Sequence, residues 1–142
     1  YGPSISIAYR DKLTKDKSAM TIKRIRSGGP FEEKIEYARA VVTNGWVHVA
    51  GTVGTGQTVT EQCTSALGII ETALTEAGSS FADVVRVTYM LPNRHEFQEC
   101  WSVLSKTFGD NPPAATMIEC GLIDPKFKIE IEVTAVVSTS AD

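Results

Sequence analysis

Histidine and cysteine are scarce in this chain, with 2 of the first and 3 of the second among 142 residues. His48 and His95 stand in no HxxxH or HExxH spacing and beside no Cys/His cluster, which excludes the common zinc-ligand patterns. A histidine-assisted nucleophile would need Ser102 or Cys100 near His95, and Cys100 belongs to an apolar stripe, so a Ser/His or Cys/His hydrolase is disfavoured. Cys63, Cys100 and Cys120 form no CxxC pair and are odd in number; reduced, buried thiols in a cytoplasmic protein fit better than a disulfide. No apolar run approaches the ~20 residues of a membrane span, and no signal-peptide core is present. Basic charge is short as well: 14 Lys and Arg face 17 Asp and Glu, for a net charge of -3. Without a basic stripe, nucleic acid is a poor partner. Nothing calls for a metal or an organic cofactor.

What is present is an ordinary globular composition, 42% hydrophobic and 22% charged, sufficient for one domain with one core. Residues 1 to 19 lack a sustained period and are expected to be an extension or an expression remnant, with Met20 a candidate native start and 20 to 142 a single domain. Thr21 to Arg26 alternates briefly, as a short strand does. Glu36 to Val42 and Trp46 to Ala50 flank Asn44-Gly45, the preferred type I′ hairpin turn, because both central residues need positive φ. On the first arm Tyr37, Arg39 and Val41 should share a face.

Gly51, Gly54 and Gly56 follow this hairpin and precede a helix, but their spacing is neither GxGxxG nor GxxxxGK[ST], and a flexible connection is the expectation rather than a phosphate loop. Thr58-x-x-Glu61 reads as a capping box, and Val59, Cys63, Ala66, Leu67, Ile70, Ala73, Leu74 and Ala77 recur at three and four. Gly78 should end this helix. Val84 to Leu91 reads as a strand with Val85, Val87, Tyr89 and Leu91 inward. Arg94 to Phe108 reads as a second helix with Phe97, Cys100, Trp101, Leu104 and Phe108 as its stripe.

Ala114 to Cys120 and Phe127 to Val137 complete the order β-β-β-α-β-α-β-β. In the last strand Glu130, Glu132 and Thr134 face away from Ile129, Ile131 and Val133. Two helices cover one face of such a sheet and no more. The other face, with Arg86, Thr88, Glu130, Glu132 and Thr134 plus Met90 and Val84, suits a subunit interface in a closed oligomer. Glu130 is either a solvated or salt-bridged strand residue, with Lys128 or Arg86, or a general base whose pKa an interface raises.

The runs YARAVVTNGWVHVAGTVG, TEAGSSFADVVRVTYML and PAATMIECGLIDPKFKIEIEVTAVV closely resemble the Rid (YjgF-type, also labelled L-PSP endoribonuclease) family, over about residues 21 to 137. The resemblance implies an α+β, chorismate-mutase-like fold with a six-stranded mixed sheet and two helices on one face. It also implies a homotrimer with three intersubunit clefts for small metabolites. Its best-known members hydrolyse enamine or imine intermediates such as 2-aminoacrylate to 2-keto acids and ammonia. In them an arginine two residues after the Pro of a P-A-R motif forks onto the substrate carboxylate. Here Pro113-Ala114-Ala115 fills the motif, so the position is Ala115, and no residue from Ala114 to Ile118 is cationic. The remaining carry-over is Tyr37 as the cleft tyrosine, Gly51 as the backbone-contact glycine, Glu130 as the glutamate that positions water, and Met117 in place of a small residue. Thr52 and Met90 join them as candidate ligand contacts. The Gly51-to-Thr58 connection is shorter than in typical members, either truly or because a piece is missing from the sequence.

Losing a bidentate contact forfeits roughly ~1.5–3 kcal/mol per bond to the charged group. The expectation is a subgroup lacking the catalytic arginine, poor on 2-aminoacrylate, acting on another enamine or imine. Arg39 is then either a displaced cation for a longer substrate, such as a dicarboxylate enamine like aminomuconate, or an interface ion pair with Glu132 or Glu119. A non-catalytic ligand-binding or chaperone-like protein is the alternative. Ribonuclease activity ranks third, because the acidic chain offers no basic groove.

Overall fold

A computed structural model of the chain describes residues 21–139; the expected extension over residues 1 to 19 lies outside them. Six strands form one mixed sheet in the order β1-β2-β3-β6-β4-β5. They are β1 (Lys23–Ile25), β2 (Ala40–Thr43), β3 (Trp46–Val53), β4 (Val84–Leu91), β5 (Ala114–Glu119) and β6 (Glu130–Val136). Only β4 and β5 run parallel; every other pairing is antiparallel. The long helix α1 (Val59–Glu76) and the short α2 (Trp101–Phe108) cover one face. The fold is thus the α+β arrangement expected, with the same order of elements.

Local chemistry explains most boundaries. Asn44 (φ 50°) and Gly45 (φ 79°) make the β2–β3 hairpin turn. Thr58 caps α1 by accepting the Glu61 N–H at 3.1 Å, and the Glu61 carboxylate accepts the N–H of Gln57 at 2.9 Å, one residue before the reciprocal bond of a standard capping box. All eight residues of the expected α1 stripe are buried, packed with Val47, Val49, Ile131 and Val133 from the sheet. Gly78 (φ 75°) closes the helix in a Schellman turn, with the N–H of Ser79 reaching Leu74 O at 2.8 Å.

Three expectations are corrected. The first hairpin arm begins at Ala40 rather than Glu36, because residues 31–36 form turns closed by Ile35 N–H to Phe31 O and Tyr37 N–H to Glu32 O, with Glu36 at φ 57°. In β4 the inward and outward valines are exchanged at the start. Val84 is buried and Val85 is 42% exposed, because the pairing with β6 shifts register between Val84 and Arg86. The second helix starts as a 3₁₀ segment (Arg94–Cys100) before α2, and the change from three to 3.6 residues per turn rotates Trp101 out of the stripe to 55% exposure. Cys63 and Cys100 are buried in the core, whereas Cys120 is only half-buried.

The connection from β3 to α1 is set by close packing at Gly54. A Cβ there would stand 2.5 Å from Gln62 O and 2.6 Å from Ala66 N, both helix backbone. Gly54→Ala should therefore destabilise the domain by about 1–3 kcal/mol through overpacking, read as a lowered urea midpoint with an unchanged m-value. An unshifted midpoint would mean that α1 does not seat on this turn.

Candidate functional site

The site is built on a buried guanidinium. Arg39 is only 8% exposed, and its donors are directed at the chain itself. Nη1 reaches Gly51 O at 2.9 Å and Thr52 Oγ1 at 2.8 Å, Nη2 reaches the Tyr37 hydroxyl at 2.9 Å, and Nε makes a long contact of 3.4 Å with Ser27 Oγ. A cation taken out of water requires such partners. These contacts tie together the loop before β2, the turn carrying Tyr37 and the irregular stretch of β3 between Val49 and Thr52. Neither Glu132 nor Glu119 pairs with Arg39 among the described residues.

Glu32 anchors the same corner. It is 2% exposed and accepts the N–H and Oγ–H of Ser27, each at 3.0 Å, and the N–H of Gly29. Burial works to raise its pKa. The hydrogen bonds from Ser27 and Gly29, with the nearby Arg39 charge, outweigh burial and hold the carboxyl below its ordinary 4.5. Nothing in the sequence separated Glu32 from its neighbours Glu33 and Lys34, both exposed.

Glu130 opens β6, paired to Val53 and to Met90. It is half-buried, and burial pushes its carboxyl pKa upward; Arg39 opposes that and Glu132 adds to it. Its carboxylate packs on Gly51, where an added Cβ would lie 3.0 Å from Oε2. A side chain there would press the carboxylate back by a few tenths of an ångström.

The structure thus assembles Tyr37, Arg39, Gly51, Thr52 and Glu130, with Met90 next to Glu130 across the strand pair. Ala115 and Met117 stand apart. By register they align with Val87 and Tyr89, the helix-covered face, whereas Ile118 aligns with Met90 and hence with the row of Glu130. All six residues of β5 are exposed at the edge of the sheet. Among the described residues no group of His, Cys, Asp and Glu is arranged to hold a metal ion.

A cleft of about 790 Å³ adjoins this cluster, lined by segments 27–31, 53–57 and 125–128 together with Tyr37, Arg39, Gln62 and Ile69. Gln62 fixes its walls. Buried on α1, it donates to Gly56 O at 3.1 Å and Lys126 O at 3.0 Å and accepts the Lys128 N–H at 2.7 Å. Glu130 does not line the cleft, but Arg39 does. The N–H groups of Thr55 and Gln57 are bonded to Ser65 Oγ and to the Glu61 carboxylate, so they are not free to cradle a phosphate.

A six-stranded mixed sheet with two helices, in this strand order, is the α+β fold of YjgF-type proteins. The endoribonuclease L-PSP family profile matches residues 31–137, and the chain belongs to that family. A RutC family protein of Pyrococcus abyssi is 32% identical over 107 residues, covering 70% of this chain and 84% of that protein. A human protein named 2-iminobutanoate/2-iminopropanoate deaminase is 27% identical over 108 residues, covering 70% and 79%. Among solved structures, a YjgF-family member from Mycobacterium tuberculosis superimposes with a TM-score of 0.80 at 37% identity, covering 82% of this chain and all (100%) of that one.

The Glu32 geometry fixes a pH response. A carboxyl whose folded pKa lies below its unfolded value contributes stability above the unfolded value, and that contribution is lost as pH falls through the folded one. The urea midpoint of Glu32→Gln should lie below wild type at pH 7, and the gap should narrow once pH drops under 4.5. A gap independent of pH would show that the Glu32 charge is not what holds the 27–32 loop.

Proposed function

We propose that this chain is a hydrolase of reactive enamine or imine metabolites, working in clefts formed between copies of itself, with Glu130 as the base that positions and deprotonates water. The observation that carries this reading is the half-buried Glu130 carboxylate, seated on Gly51 with its pKa pushed up. Burial makes it a better proton acceptor than a free glutamate. Water adds to the imine carbon as Glu130 takes its proton; the carbinolamine then collapses, and protonated nitrogen leaves as ammonia. Tyr37 accepts a hydrogen bond from Arg39, which leaves its own hydroxyl proton to donate to the substrate. Arg39, with its donors committed to the chain, acts as a positioning residue for Tyr37 and β3.

The division of candidates supports an oligomeric site. Within one chain Ala115 and Met117 lie off the Glu130 row on an uncovered edge strand, so a second copy must supply that wall. The homotrimer implied by the resemblance satisfies this requirement.

Non-catalytic ligand binding is the second reading, and the absence of any cation from Ala114 to Ile118 favours it. Without the usual carboxylate fork, 2-aminoacrylate is a poor substrate. Ribonuclease activity has the net charge of -3 against it.

Ammonia release from freshly generated 2-aminoacrylate and from a dicarboxylate enamine tests the proposal. With the Arg39 donors committed to the chain, a second substrate carboxylate gains no partner there. At least one of the two should release ammonia, with a rate that falls on the acid side of an apparent pKa above 4.5. Glu130→Gln should lower it by about 100-fold or more, within the range of a lost general base. If neither substrate releases ammonia and Ala115→Arg alone restores 2-aminoacrylate turnover, the binding-protein reading replaces this one.

A further inference from the structure

The cleft of about 790 Å³ is larger than a three-carbon imine requires and falls in the size range of sites for drug-sized ligands. Its charge is one-sided. Arg39, Lys126 and Lys128 line it, and among the described residues no Asp or Glu does; the nearby carboxylates, Glu32 and Glu61, are turned to the N–H groups of Ser27, Gly29 and Gln57 behind the wall. The three cations are not equivalent. Arg39 is spent on Gly51, Thr52 and Tyr37. Lys128 stands 3.5 Å from the Glu96 carboxylate. Lys126 has no carboxylate partner among the described residues, and its ammonium lies 5.2 Å from the centroid of the Phe127 ring. Large apolar groups that stay partly open among the described residues line it too: Phe31 is 41% and Ile69 37% exposed, with the Lys34 ammonium 6.0 Å from the centroid of the Phe31 ring.

We infer that this cleft binds an organic monocarboxylate with a planar apolar body, its carboxylate paired to Lys126 and its body held among Phe31, Ile69 and Phe127. A phosphate ester fits less well. Among the described residues one ammonium without a carboxylate partner lines the cleft, and the neighbouring N–H groups of Thr55 and Gln57 are already bonded, so a dianion would be undercompensated. Gln62 holds the Lys126 carbonyl and the Lys128 N–H, which pre-forms the wall and lowers the ordering cost of binding. Glu130 is outside the lining, so binding here does not depend on its chemistry. The inference stands whether or not the chain is a hydrolase.

Calorimetric titration with indole-3-acetate and with its neutral amide separates the terms. The acid should bind, and the amide should bind about tenfold or more weakly, the size of one charge-assisted contact. Lys126→Gln should weaken the acid by a similar factor and leave the amide unchanged. Ile69→Glu, which adds a carboxylate to an exposed wall position, should abolish binding of the acid. Glu130→Gln should leave it unaltered, so failure of the hydrolase proposal and failure of this one give different results. Equal affinity for acid and amide, an unchanged acid affinity in Lys126→Gln, or no binding of the acid would overturn the assignment.

Discussion

Burial of the Arg39 guanidinium is the constraint on which this corner of the molecule depends. A charge that is 8% exposed must be surrounded by acceptors, and the chain supplies them from three separate places: Ser27 before β2, Tyr37 at the turn, and Gly51 with Thr52 in β3. Glu32 supplies the balancing charge while pinning Ser27 and Gly29. The β3 irregularity between Val49 and Thr52 lets Gly51 turn a carbonyl to Arg39 while its bare Cα faces the Glu130 carboxylate. Stability and site geometry are one arrangement here, because the groups that neutralise Arg39 are also those that place the candidate catalytic pair.

Glu130 sits under two opposed influences. Burial in the sheet favours its neutral form, and the Arg39 charge favours its ionised form. With burial winning, the carboxylate is more basic than a free glutamate, as a water-activating group needs. The cleft adjoins the same cluster and shares Tyr37 and Arg39 with it, but its own cations are Lys126 and Lys128 and Glu130 is outside its lining. One arginine therefore touches two regions: it opposes the raised pKa of the Glu130 carboxylate and lines the cleft proposed for an anion.

Much of this was legible in the sequence. The α1 stripe, the Thr58 cap and the Asn44-Gly45 turn are local patterns, and each formed where its period placed it; β6 keeps its alternation but begins at Glu130 rather than Phe127. What escaped was non-local or broke the period. The β4 register shift exchanged Val84 and Val85, and the 3₁₀ stretch before α2 rotated Trp101 outward. Tyr37 and Arg39 were expected side by side on a strand; a turn with Glu36 in the left-handed region brings them together instead. Gln62 belongs to no apolar stripe of the sequence, yet two of its partners, Lys126 and Lys128, lie more than sixty residues away. Glu32 had no signal at all, because an exposed glutamate and a buried one read alike. The absent arginine at Ala115 was plain from the sequence, but only the strand register shows that this position lies off the row of Glu130.

Glu130 is held between burial and the Arg39 charge, and its carboxyl titration followed by carbon-13 NMR tests that directly. In the wild type the pKa should lie above the ordinary 4.5, and in Arg39→Gln it should rise further, since the lowering influence is gone while burial remains. A wild-type value at or below 4.5, or one that Arg39→Gln leaves unmoved, would contradict it.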